Sequence, residues 1–118
     1  MGPSANTLPV NWTVLQEATD NDKAAMKEVV LIYLKQGMKN VNELRSAVLR
    51  NYAEQVEVLA HRFLGSSRFV GATGIGIPLA ALVKMGRSRR LTPSASQLVD
   101  QAEKEFIRIE HYLKAPHE

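Results

Sequence analysis

Apolar residues recur along most of this chain at intervals of three and four, the spacing that gathers side chains on one side of an α-helix. From Met26, the positions Val30, Tyr33, Leu34, Gly37, Val41, Leu44 and Val48 stay within an arc roughly 100° wide, and the stripe keeps its phase through Gly37. This predicts one long helix over about residues 22–50, with Asp20 or Asn21 as its N-cap. A short helix over about 11–19 precedes it, after Pro9. A third helix is expected over about 53–71, with Tyr52, Val56, Leu59, Phe63, Ser66 and Val70 on its buried face and Gly71 at its stop. Leu79, Leu82, Val83 and Gly86 share one face of a fourth, which tolerates Pro78 in its first turn. Thr92-Pro93 starts a fifth, in which Leu98, Ala102, Phe106, Ile109 and Leu113 turn inward. No segment alternates apolar and polar residues as a half-buried strand does. The pattern predicts an all-α chain, an antiparallel four-helix bundle with a short additional N-terminal helix capping one end.

A length of 118 residues suits one domain of ordinary size, and 45% apolar with 23% charged residues suits a globular protein. The domain is expected over residues 8–114, with a disordered tail at 1–7 and a second tail at 115–118. No segment has the apolar length needed to cross a bilayer, and the first residues lack the basic and apolar regions of a signal peptide. The absence of cysteine excludes disulfides, thiolate metal sites and a cysteine nucleophile. A cytoplasmic monomer with no membrane contact is the expectation. The net charge of +3 comes from fifteen basic and twelve acidic residues, mostly interspersed, which is little ground for a nucleic-acid partner. One compact basic cluster stands out, Arg87-Ser88-Arg89-Arg90. It is read either as a solvated turn or as a docking point for a partner or an anion.

Gly71-x-x-Gly74-x-Gly76 has the look of a phosphate loop, but it follows a helix rather than a strand and lacks the Gly-Lys-Ser/Thr ending. A helix-to-helix turn accounts for it better. His61, His111 and His117 have no metal-ligand spacing, and no serine lies in a nucleophile elbow. Neither a metal site nor a bound cofactor is expected. His61 differs from the other two histidines. On the predicted third helix it faces away from the apolar stripe, with Glu54, Glu57, Leu64, Gly65 and Arg68 around it. A glycine inside a helix costs roughly 1 kcal/mol relative to alanine, so Gly65 calls for a reason such as close approach of another molecule. A neutral imidazole keeps a lone pair on one ring nitrogen, which can attack an activated phosphoryl group and later give it up. Glu57, one turn earlier, is placed to accept a hydrogen bond from the other nitrogen.

Ala60-His61-x-Phe63-x-Gly65-Ser66-Ser67, followed by Gly71-Ala72, resembles the signature of histidine phosphotransfer (HPt) domains of two-component phosphorelays. The family pattern reads Ala-His-x-Leu-Lys-Gly-Ser-Ser/Ala, with a further glycine ten residues after the histidine, the offset of Gly71. The resemblance covers nearly the whole chain, since the family fold is also a four-helix bundle. It implies that His61 is the phosphoacceptor, taking a phosphoryl group from a receiver-domain aspartate and passing it to another, without kinase activity of its own. The partners implied are the receiver domains of a hybrid sensor histidine kinase and of a response regulator, with Mg²⁺ on the receiver and not on this chain. Gly65 would leave space for the phosphoryl group and the approaching receiver.

In place of the family's lysine, three residues after the histidine, this chain has Leu64. Arg68, two turns after His61 on the same face, is one candidate to balance the phosphate charge. If the third and fourth helices fold back around residues 73 and 74, Gly86 falls beside His61, which adds Lys84 and Arg87. Val58, Arg62, Leu64 and Phe69 are the expected partner-docking residues. The alternative reading is a degenerate module that binds receivers without carrying phosphate.

Overall fold

A computed structural model describes residues 8–115; within them the chain forms five helices. They are α1 (Trp12–Ala18), α2 (Lys23–Leu49), α3 (Ala53–Phe69), α4 (Gly76–Arg87) and α5 (Ser94–Lys114). The tail expected at 1–7, and all of the one at 115–118 except Ala115, lie outside the described residues.

Several of the boundaries have a local cause. Asn11 accepts from the Thr13 amide at 3.1 Å to start α1, and Asp22 accepts from the Ala25 amide at 3.1 Å to start α2. The α2 cap is therefore neither Asp20 nor Asn21. Both have left-handed φ values, 53° and 59°, and form the turn that leaves α1. Gly71, φ 78°, ends α3 in a Schellman motif: its own amide donates to Arg68 O at 3.1 Å and the Ala72 amide to Ser67 O at 2.9 Å. A side chain there is excluded twice over, because an added Cβ would fall 2.4 Å from Asn11 O. Pro93 already has helical torsions, and the Ala95 amide bonds to Thr92 O at 2.9 Å, so Thr92-Pro93 opens α5 as expected.

α2 packs on α3 and α5, and α4 on the same two, so the four long helices close a square. Their pairing is antiparallel. Leu64 meets Gly76 while Glu57 meets Gly86, and Gly37 meets Phe106 while Arg45 bonds Asp100 and Glu103. Phe63, Phe106 and Tyr33 fill the centre, with ring centroids 5.8–6.4 Å apart. Gly37 makes the room, since a Cβ on it would lie 2.0 Å from the Phe106 ring. The N-terminal segment seals one end of α3: Asn11 N donates to Gly71 O at 2.7 Å and Thr73 N to Pro9 O at 2.8 Å, with Trp12 against Tyr112.

Candidate functional site

The core-facing arc of α3 is Val56, Ala60, Phe63, Leu64, Ser67 and Val70. That is rotated from the expected stripe: Tyr52 is 56% exposed and Ser66 is exposed, while Ala60, Leu64 and Ser67 turn inward. The cause is α4. A Cβ at Gly86 would lie 2.5 Å from Glu57 N and 2.7 Å from Ala53 O, so the two backbones touch and the covered arc spreads toward α4. Leu64 is drawn in with it. It is 6% exposed, and its Cδ1 would lie 3.7 Å from a Cβ on Gly76. Leu64 is thus a core residue and not the docking residue expected.

His61 remains outside, on the exposed arc, as anticipated. Gly65 is one turn further on, and a Cβ there would meet nothing within 4 Å. Val58 and Phe69, each 49% exposed, share this outer face with Arg62.

Two shallow depressions flank His61. One is lined by Arg68, Lys84 and Arg87 over a floor that includes Leu64, Ala80 and Val83. The other is lined by Glu54, Glu57, Arg62, Arg87 and Arg89, with Val58. Lys84 and Arg87 therefore do reach the histidine's surroundings, although the register that suggested them is wrong by about a turn. Gly86 lies against Ala53 and Glu57, not beside His61.

Glu57 also has a different role from the one expected. Its carboxylate accepts from Arg89 Nη1 at 2.9 Å and from Arg87 Nε at 3.1 Å, rather than from the imidazole. Those bonds, Arg89's first, hold the Glu57 carboxyl below its ordinary range. Arg68 and Lys84 make no ion pair with any described residue.

The two depressions together hold five cations, Arg62, Arg68, Lys84, Arg87 and Arg89, against two carboxylates, Glu54 and Glu57. The difference is +3, equal to the formal charge of the whole chain, so the remaining ten basic and ten acidic residues cancel. An anion approaching this face meets a local excess of positive charge.

Arg89 belongs to this site without having been among its expected members, although it lies in the one compact basic cluster of the sequence. Nor was an apolar groove expected on the α2 side of α3, lined by Val29, Ile32, Arg62, Phe69 and Val70. The signal was Ile32, which is 54% exposed and off the stripe of α2. Beneath that groove Tyr33 Oη and Ser67 Oγ bond at 2.8 Å, and burial pushes the Tyr33 hydroxyl up to about 12. Among the described residues, no three His, Cys, Asp or Glu side chains come together as metal ligands would. Nor is any helix there long and apolar enough to cross a membrane.

No protein-family model and no curated protein matches the chain. Its fold is that of a solved structure, histidine-containing phosphotransfer protein B (HptB) from Pseudomonas aeruginosa PAO1. The likeness has a TM-score of 0.80 at 18% identity, and covers 93% of this chain and 99% of that one. At that identity what the two share is the all-α bundle.

Proposed function

We propose that this chain is a phosphorelay carrier: His61 accepts a phosphoryl group from a receiver-domain aspartyl phosphate and passes it to a second receiver. The observation that carries the reading is His61 itself, exposed on a histidine-phosphotransfer fold between two depressions that hold the chain's excess positive charge, beside the open space at Gly65.

The step needs little from this chain. A lone pair on one imidazole nitrogen forms the N–P bond while the aspartyl O–P bond breaks, and that bond's electron pair returns to the receiver's carboxylate. The other ring nitrogen keeps its proton throughout. The charge of the transferring phosphoryl oxygens would be met mainly by a Mg²⁺ ion on the receiver, so this chain supplies a positioned nucleophile, cations and a docking face, and no kinase activity. Arg68 and Lys84 take the place of the family's lysine, with Arg87 nearby. Gly65 gives the receiver access, and Val58, Arg62 and Phe69 form the docking surface. The carrier works as a cytoplasmic monomer.

Incubation with a phosphorylated receiver domain tests this. The wild type is expected to gain an acid-labile phosphate and His61→Gln to gain none. Equal labelling of both removes His61 from the role. Receiver binding that survives His61→Gln, in a wild type that takes no phosphate, establishes instead a degenerate binding module.

A further inference from the structure

The five cations around His61 are not equivalent. Arg87 and Arg89 are both bonded to Glu57, while Arg68 and Lys84 pair with no described residue. Arg87 is the last residue of α4, and Arg89 is fixed just beyond it. The Arg89 backbone adopts a left-handed φ of 58°, its amide donates to Gly86 O at 3.1 Å and the Arg90 amide to Met85 O at 3.2 Å, and its Nη1 also reaches Gly86 O. The same bonded turn that ends α4 therefore delivers two guanidiniums to one carboxylate. That carboxylate lies four residues before His61 on α3, where side chains on adjacent turns are neighbours, and it lines the same depression.

We propose that Glu57 is a positioning residue that restrains this site: by holding Arg87 and Arg89 it keeps them off a phosphoryl group on His61, and so limits how far phosphate rests on this chain rather than on a receiver. The inference rests on the carrier reading above. Transfer brings about one net negative charge to a ring that was neutral, because the doubly charged phosphoryl group is partly offset by the ring that keeps its other proton, and that charge is concentrated on the phosphoryl oxygens. A nearby carboxylate opposes that charge directly, and it also occupies the two cations that would favour it. Both effects have the same sign. A carrier must release its phosphate as readily as it takes it, and freeing the two arginines shifts that balance toward phosphohistidine.

The test uses the full chain and a purified receiver domain with Mg²⁺, brought to equilibrium from the phosphorylated receiver, reading the ratio of phosphohistidine to aspartyl phosphate. Glu57→Gln keeps the shape and removes the charge. It is expected to raise the ratio by about threefold to tenfold in dilute buffer, with the gain shrinking toward 0.5 M salt as screening shortens. Arg87→Ala/Arg89→Ala is expected to lower the ratio, and Glu57→Gln in that background to recover less than half of its effect. A wild type that labels on His61 while Glu57→Gln leaves the ratio within twofold overturns the restraint and leaves the carrier standing. An equal gain in both backgrounds overturns it too, since Glu57 then acts by its own charge and not through the arginines. A wild type that takes no label at all defeats the carrier reading, and the restraint with it.

Discussion

The two flanks of α3 are built in opposite ways. Toward α4 the helices meet backbone to backbone at Gly86, and what lies outside that contact is charged: Arg68, Lys84 and the arginine pair on Glu57. Toward α2 the contact is made by long side chains, Tyr33 reaching across to Ser67, and what lies outside is an apolar groove between Ile32 and Phe69. His61 and Gly65 lie on the ridge between. The difference shows how one helix can present two unlike surfaces, and it suits the division of work that the proposed carrier needs. A close contact, backbone to backbone where Gly86 meets α3, fixes the position of cations relative to a nucleophile, which electrostatics demands. A wider contact leaves apolar area uncovered, which suits a transient partner.

The largest expected effect comes from closing the α4 flank's gap. Gly86→Leu forces a branched side chain into a space where even a Cβ falls 2.5–2.8 Å from Glu57 and Ala53 backbone atoms, and backbone cannot step aside as a flexible side chain would. The cost is about 3 kcal/mol or more, read as a fall in Tm of roughly 10 °C. A Tm within a degree or two of wild type would show that α3 and α4 part without penalty, and the contrast between flanks would dissolve.

A smaller loss is expected on the α2 flank. Tyr33→Phe leaves the Ser67 hydroxyl, 1% exposed, without its partner, at about 1–2 kcal/mol. Tyr33→Phe/Ser67→Ala recovers part of that by removing both polar groups. The pH dependence separates this hydroxyl from simple packing. Because the Tyr33 hydroxyl is raised from 10.0 to about 12 in the fold, its contribution is complete below pH 10 and is lost as pH climbs from 10 to 12. Denaturant stability of wild type minus that of Tyr33→Phe should fall through that window. A flat difference would mean that the hydroxyl ionises as freely folded as unfolded.

Much of this architecture is legible in the sequence because it rests on strong local signals. The stripe from Met26 to Val48 and the inward set from Ala102 to Ile109 are periodic enough to define α2 and α5, and Gly71 and Thr92-Pro93 mark real termini. The rotation of α3 is not legible, for a physical reason. Its inward residues include Ala60 and Ser67, which carry little hydrophobic signal, while its outward ones include Val58 and Phe69. Only the presence of α4 decides between the two phases. The same limit applies to the α2 cap, where three polar residues in a row each suit the position and the turn from α1 selects Asp22. Of the site, His61, Gly65, Arg68, Lys84 and Arg87 could be gathered from helix phase and hairpin folding. The claim of Glu57 on two arginines depends on a one-turn register that the six-residue connection between α3 and α4 does not reveal.

The smallest expected stability change is the sharpest test of the ridge itself, because it separates what folding wants from what transfer wants. Gly65→Ala adds a methyl into open space, with no atom within 4 Å to resist it. Helix propensity alone then predicts a gain of up to about 1 kcal/mol and a Tm several degrees higher. The methyl nonetheless stands one turn from His61, on the side from which the receiver of the proposed transfer would approach. Transfer from the phosphorylated receiver is expected to slow by roughly tenfold, which a displacement of the reacting atoms by an ångström is enough to cause. A variant that is both more stable and slower means the glycine is held in this helix against its folding cost by the needs of the exposed face. A variant that is more stable and equally fast removes Gly65 from the receiver contact and leaves the cations on the α4 flank to account for the site alone.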